Sequence, residues 1–251
     1  TSVDWEQSLD WSEGGFLDIM FLQGDEQMGS SRSLDTRKLV YNYEEYPVKR
    51  KVRVYPDTLC WIRDSGFTYD EKMTRNYFHD KTYDNFPVVG ISKEQALAYC
   101  IWKENSINRI LRKAGADPIS ISLPTEEEWE YAATGGKEAS LNTDRSSYPW
   151  EGNLLTNKKG EYFANFGFIY DLYGLEVKHS FQDGYRYSAP SGSFPANASG
   201  LYDLAGNVEE WVITKTNEKE TAKGGSWNKG LIYMLCSSKA EYRNGATHSH
   251  I

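Results

Sequence analysis

Cysteine, histidine and long apolar runs are all scarce in this sequence, and each scarcity closes off a class of function. Three cysteines, Cys60, Cys100 and Cys236, lie far apart in 251 residues. They form no CxxC pair, which argues against a structural zinc site, and their odd number offers no disulfide framework. The four histidines, His79, His179, His248 and His250, form no HExxH frame. Only His248 and His250 are close, two apart, where an extended backbone would set both on one face. No GxSxG frame marks a nucleophilic serine. No apolar stretch approaches the roughly 18 residues of a membrane-spanning helix, and no signal peptide opens the chain. Basic residues are the minority, 28 against 36 acidic, for a net charge of −8. That balance disfavours nucleic acid as a partner and suits cation binding or solubility. The opening "TSVDWEQSLDW" lacks an initiator methionine, so the chain reads as a piece of a longer protein.

What is abundant is aromatic surface: 14% of the residues, with eight Trp and eighteen Tyr. That supply can fill a large core and leave rings for a surface. Two helices are legible. Ser92 with Gln95 forms a capping box ahead of Ala96, Cys100, Ile107 and Leu111 at helical spacings, and "KAGADP" stops the run. Cys100, on that apolar face, reads as a buried thiol. Thr125 with Glu128 forms a second box in "LPTEEEWEYAATGG", whose acidic first turn complements the helix dipole and whose two glycines end the helix. A third helix is expected at "TSVDWEQSLDW", and short strands at "FPVVGIS" and "AKGGSWN". There is no steady strand–helix alternation, so a parallel sheet is excluded. The first fifty residues are looser and read as an insertion or a poorly packed arm. The expectation is one irregular, loop-rich α+β domain over residues 1–251.

Several segments then occur in a telling order: "LPTEEEWEYAATGG", "YPWEGN", "FANF", "GLYDLAGNVEEWV", "KGGSW" and "YR". Together they resemble the formylglycine-generating-enzyme-like, or sulfatase-modifying-factor, domain, over roughly residues 86–251. The resemblance implies a variant of the C-type-lectin-like fold, incomplete here at both ends: the opening glycine-rich strand and the closing "GFR" are missing. Ser122 stands where that family commonly has arginine. The region around residues 12–85 reads as a family-specific insertion. Its "VYPDTLCWIRD", "MTRNYFHD" and "YDNFPVVG" resemble the gliding-motility lipoproteins K and J, nearer to K (GldK or PorK), of the type IX secretion machinery of Bacteroidota. This implies a lipid-anchored protein at the periplasmic face of the outer membrane, with its anchor upstream of this chain. The implied partners are other subunits of that machinery, copies of itself in a ring, and a GldN- or PorN-like protein.

Active members of the family carry two cysteines after the GGS-aromatic motif and use them with copper to oxidise a substrate cysteine; soft Cu(I) prefers thiolate pairs. Counting from "GGSW", those positions fall on Lys229 and Met234. Cys236 lies two residues further, on the same face if the backbone is a regular strand. A lone thiol does not replace a pair, so the resemblance implies a pseudoenzyme with no catalytic residues and no copper. The alternative is an oxidase or other modifying enzyme that uses Cys236 or an unrecognised metal. The family also implies calcium at two loop sites. One takes the side chains of Asn165 and Asp183 and the carbonyls of Phe166 and Tyr185. The other takes the side chains of Asp203 and Glu210 and the carbonyls of Gly206 and Val208. Mixed carboxylate and carbonyl oxygens suit that hard cation. Tyr55, Trp61, Tyr69, Tyr77, Phe78 and Tyr83 in the insertion are candidates to anchor an interface, or to fill the core beneath it.

Overall fold

The computed structural model describes residues 15, 17–24, 33–45, 48–65, 73, 76–136, 148–152, 154–170, 176–178, 182–215 and 219–251. By their contacts they group into two compact units, Thr1–Tyr55 and Pro56–Ile251. The helix expected at "TSVDWEQSLDW" lies outside the described residues.

The N-terminal unit holds a hairpin. Strand β1 (Val40–Glu45) pairs antiparallel with β2 (Val48–Arg53), in a register running from Val40 opposite Arg53 to Glu45 opposite Val48. Tyr41 and Tyr43, two apart on one face, stack at 5.7 Å, and Tyr43 and Val52 are buried. A short 3-10 turn, Thr36–Lys38, precedes the hairpin and is capped by the buried Asp35. That carboxylate accepts from Arg37 Nε at 2.7 Å. The expectation of a poorly packed arm is therefore corrected for these residues. In "VKRKVR" the four basic residues and Val48 are exposed and only Val52 turns inward, so the period of two is hard to see in the sequence.

Among the described residues the main unit carries the helices α1 (Cys60–Ser65), α2 (Lys93–Lys113) and α3 (Glu126–Ala133). Both expected capping boxes form: Ser92 Oγ accepts from Gln95 N at 3.3 Å, and Thr125 Oγ1 from Glu128 N at 3.1 Å. Reciprocally, Gln95 and Glu128 each accept from the cap residue's own N–H at 2.8 Å. Helix α2 buries Ala98 and Cys100 and turns Tyr99 and Trp102 outward. The acidic first turn of α3 is tied by ion pairs, Glu127 to Lys215 at 2.6 Å and Glu126 to Lys239 at 3.3 Å.

Among its described residues are two small antiparallel sheets. Strand β3 (Phe168–Tyr170) pairs with β4 (Glu176–Lys178). Strands β5 (Glu210–Val212), β6 (Glu220–Lys223) and β7 (Ala240–Tyr242) form a three-stranded meander in that order. The expected strand at "AKGGSWN" exists only as its first two residues, the end of β6. The strand expected at "FPVVGIS" is an extended loop instead. Its amide partner is no neighbouring strand: Gly90 N donates to the carbonyls of His248 and Ile251 at 2.8 and 3.1 Å. At that approach a Cβ on Gly90 would lie 2.5 Å from Asp57 O and 3.0 Å from Cys60 Sγ.

The core is a chain of aromatic clusters rather than one layer. Trp61 stacks on Trp227 at 5.7 Å, with Tyr77 tilted against it at 5.1 Å. A second cluster joins Trp129, Leu204, Val212 and Cys236, and a third joins Ala164, Phe166, Ala205 and Met234. Full burial of one large apolar side chain is worth roughly 1.5–3 kcal/mol, so these clusters fix where the loops between them stand. No helix among the described residues is long and apolar enough to cross a membrane.

Candidate functional site

The glycine-rich turn after β6 brings the sequence-predicted positions together. Gly206 N donates to Gly224 O at 2.9 Å and Trp227 N to Asn207 O at 3.0 Å, so the "DLAGN" loop and the "GGSW" turn lie side by side. Asn207 then ties both to a third segment, since its amide accepts from Ala189 N at 2.8 Å and donates to Ala189 O at 3.1 Å. Gly206 has φ 75°, and a Cβ there would overlap the Asn165 carbonyl oxygen. Only glycine meets both demands.

At the first thiol position, the Lys229 ammonium sits 5.3 Å from the Tyr233 ring and 5.8 Å from the Tyr242 ring, within cation–π range. At the second position, Met234 is fully buried with Phe166 and Ala205. Cys236 belongs to a different cluster, against Trp129 and Val212. The expectation that Cys236 shares the face of position 234 is corrected. Leu231–Met234 is a 3-10 turn, not a strand, and three residues per turn break the alternation. All three cysteines are buried. Burial, with the Asp57 and Asp64 charges nearby, pushes the Cys60 thiol up to about 12. Burial raises the Cys100 thiol as well. Among the described residues no two thiols converge.

Behind Lys229 lies a buried polar cluster that the sequence reading missed. Glu209 accepts a hydrogen bond from the Tyr242 hydroxyl, and its Oε2 is 3.9 Å from His250 Nε2. Burial pushes the Glu209 carboxyl up, and the Lys229 charge and Tyr242 hydrogen bond partly offset it. Burial, with the charges of Lys229 and His248, holds His250 down to about 3, so its ring is neutral. His248 and His250 do share a face, their rings 5.0 Å apart. Asp64 from α1 reaches them, accepting from Ser249 N at 2.6 Å and lying 3.0 Å from His248 Nδ1. Against burial, these contacts hold the Asp64 carboxyl at about 2. Nothing in the sequence announces a contact between residues 64 and 248.

The two oxygen-rich loop sites differ in quality. Asp203 and Glu210 line one cleft of 410 Å³ together with Asn207 and Val208. Asp203, at φ 55°, accepts from Gly192 N through Oδ2, and the Phe194 N–H also faces its carboxylate, while its Oδ1 is buried without a hydrogen bond of good geometry. Glu210 accepts from Trp129 Nε1 at 2.6 Å. Burial pushes both carboxyls up, and the Asp203 charge raises Glu210 further. Two buried like charges and an orphaned oxygen are what a cation would relieve. At the other site, Asp183 and Tyr185 line a cleft of 620 Å³. There the N–H groups of Tyr185 and Phe166 face the Asp183 carboxylate, that of Tyr185 at 2.9 Å. The Asn165 amide donates to Tyr187 O at 2.6 Å. A cation there would share its carboxylate with two N–H donors, as at Asp203, but among the described residues would find no second buried carboxylate like Glu210 lining the cleft.

The interface candidates divide. Trp61 and Tyr77 are buried, and Phe78 and Tyr83 pack half-buried against them, so these rings fill the core beneath the insertion. Tyr55 is half-buried, and Tyr69 lies outside the described residues.

Comparison with known proteins bears on the whole arrangement. The sulfatase-modifying factor enzyme 1-like domain family matches residues 35–251. The formylglycine-generating enzyme of Mus musculus is 37% identical over 128 residues, 51% of this chain and 27% of that protein. The formylglycine-generating enzyme of Thermomonospora curvata is 39% identical over 127 residues, 51% of this chain and 33% of that protein. The inactive C-alpha-formylglycine-generating enzyme 2 of Bos taurus is 31% identical over 147 residues, 57% of this chain and 38% of that protein. The chain thus spans well under half the length of these relatives. Among solved structures, PvdO from Pseudomonas aeruginosa is 21% identical with a TM-score of 0.46, covering 66% of this chain and 60% of that one.

Proposed function

The chain belongs to the sulfatase-modifying factor enzyme 1-like family, and on that premise we propose that it is a non-catalytic member, kept for its surface rather than for chemistry. The carrying observation is the pair of positions where the family's thiolates are expected. One holds Lys229 beside two tyrosine rings, and the other holds Met234 in the core. An ammonium repels a metal cation, and a single thioether cannot supply the thiolate pair that Cu(I) prefers. The relatives include enzymes and an inactive counterpart alike, so the name of the family does not decide the activity. The alternative, an oxidase working through Cys236, is opposed by the burial of that thiol away from position 234.

The finer reading is a structural subunit of the type IX secretion and gliding-motility machinery, held at the periplasmic face of the outer membrane. It would join copies of itself in a ring and a GldN- or PorN-like partner. What supports it is the likeness of "VYPDTLCWIRD", "MTRNYFHD" and "YDNFPVVG" to lipoproteins K and J, joined to a scaffold without its thiol pair. Exposed loops on a rigid frame suit such binding. Calcium would serve as a structural tie. Asp203 and Glu210 would hold it most readily, with the Gly206 and Val208 carbonyls. Asn165 and Asp183, with the Phe166 and Tyr185 carbonyls, make the second site. Two assays test the proposal. Purified protein given a cysteine peptide, copper and oxygen should form no formylglycine; copper-dependent turnover lost in Cys236→Ser would overturn the non-catalytic reading. Native purification should recover the chain in a large assembly. A lone monomer, with secretion and surface motility intact after its deletion, would overturn the scaffold reading.

A further inference from the structure

We propose that Asp64, His248 and His250 form a binding site for one divalent transition metal of the zinc class, which clamps helix α1 to the C-terminal segment. Each of the three side chains offers a ligand atom, and these atoms all lie within 4.8 Å of one another. His248 Nδ1 and Asp64 Oδ1 are 3.0 Å apart. Two ligands each about 2.0–2.1 Å from a tetrahedral zinc stand at roughly that separation, so this edge of the site needs almost no movement. The third ligand closes on it by a rotation of the His250 side chain, whose ring already lies 5.0 Å from that of His248 at an interplanar angle of 24°.

The donor set selects the metal. Two imidazole nitrogens with one carboxylate oxygen suit zinc and its neighbours, whereas calcium takes an all-oxygen shell of six to eight ligands. The calcium candidates in this chain are elsewhere, at Asp203 and Glu210 and at Asn165 and Asp183, so the two metal classes would occupy different positions. The surrounding groups support ligand orientation in the manner of an outer shell. Ser249 N holds the second oxygen of Asp64 at 2.6 Å. The Asn228 amide lies 3.2 Å from His250 Nδ1, and its own oxygen is fixed by the Ser226 hydroxyl at 2.9 Å. Glu209 Oε2, held by the Tyr242 hydroxyl, lies 3.9 Å from His250 Nε2, beside the three ligands rather than among them, and leaves the fourth position to water. His248 is the most exposed of the three, its side chain 30% accessible against 7% for Asp64 and 9% for His250, and so gives an ion its way in.

Two cations compete. Arg63 Nε lies 3.4 Å from Asp64 Oδ1, and the Lys229 charge reaches His250. Arg63 has other anchors, since it also pairs with Asp57 at 2.5 Å and donates to the Thr247 carbonyl. Lys229 has its two aromatic rings. A bound ion therefore displaces one long contact of Arg63 rather than its whole network. The clamp would join residue 64 to residues 248 and 250, the points where the insertion meets the end of the chain. It rests on neither the secretion reading nor the calcium sites.

The experiment uses the chain without a histidine tag, stripped with chelator and then saturated with calcium. Calorimetric titration with Zn2+ and metal analysis should give one zinc per chain. Co2+ in its place should show the visible absorption of a tetrahedral nitrogen and oxygen site. Asp64→Asn and His248→Gln should each weaken zinc binding at least tenfold, while Glu241→Gln, at an exposed ion pair, leaves it unchanged. Should a variant misfold by circular dichroism, the wild-type protein still decides: zinc should protect His248 from diethyl pyrocarbonate, read by mass spectrometry. No saturable zinc binding, or equal affinity in wild type and both variants, or no protection of His248, would overturn the proposal. The cluster would then be a closed hydrogen-bond network.

Discussion

Replacing Asp203 with asparagine should leave the calcium-free protein about as stable as the wild type, and should remove most of the stability that calcium adds. The crossed outcome follows from the two facing carboxyls. Burial raises the Asp203 and Glu210 pKa values, and the Asp203 charge raises that of Glu210 further. A carboxyl whose folded pKa is raised contributes stability that is fully present below its unfolded value, about 4, and is lost as pH rises through the folded value. Metal-free wild type should therefore lose stability from these groups as pH climbs from about 4 toward neutrality. Asparagine fits the left-handed backbone at φ 55°, and its amide oxygen can still accept from Gly192 N. It removes one of the two like charges, so little is lost without metal. With metal the balance inverts, because a dication favours both ionised carboxylates. At a hundredfold excess over its dissociation constant a native-state ligand adds about 2.7 kcal/mol. In a chain of this size that corresponds to a rise of about 5–11 °C in melting temperature. Scanning calorimetry of both proteins from pH 5 to 8, in chelator and in calcium, reads all four corners. An equal calcium shift in wild type and variant, or a wild type indifferent to calcium and chelator, would refute the reasoning.

Native protein at pH 8 should show no rapid thiol reaction with a disulfide reagent, and three thiols after denaturation, because all three cysteines are buried and the Cys60 thiol is held up at about 12; fast native labelling of Cys236 would contradict its inert role. Trp129→Phe should cost about 1.5–3 kcal/mol in denaturant titration beyond the lost ring volume, since it removes the indole N–H donor to the buried Glu210 carboxylate. Gly206→Ala should cost about 2–5 kcal/mol, combining a left-handed alanine with overlap on the Asn165 carbonyl; a variant that melts with the wild type would show that the loop can shift at no cost.

Helices α2 and α3 were legible because their signals are local. Ser92 and Gln95, or Thr125 and Glu128, are three residues apart and close the same bonds in any surroundings. The strands were not, because β5, β6 and β7 have three or four residues each, too few for an alternation to stand out. "FPVVGIS" has a strand's composition, yet the partners of Gly90 are the carbonyls of His248 and Ile251, which no local pattern encodes. The candidate sites follow the same division. A motif register carried Lys229 and Met234 to their positions, and the family resemblance, not spacing, paired Asp203 with Glu210. Asp64 met His248 only through the fold.

That division bears on the proposed non-catalytic reading of positions 229 and 234. Had only the reactive groups been exchanged, positions 229 and 234 would stand in an otherwise unchanged pocket. Instead Met234 has become part of the core around Phe166, with its terminal methyl against Gly225, and Lys229 lies against two rings beside the buried Glu209. Restoring cysteine at 234 would remove buried volume, which packed cores resist, and restoring it at 229 would take away the cation nearest a desolvated carboxyl. The loop ties meanwhile keep full hydrogen bonding, from Asn207 to Ala189 and from Asn165 to Tyr187. On the proposed non-catalytic reading, a frame with its loop ties intact and packing groups at 229 and 234 is the arrangement expected of a fold maintained for what its loops present.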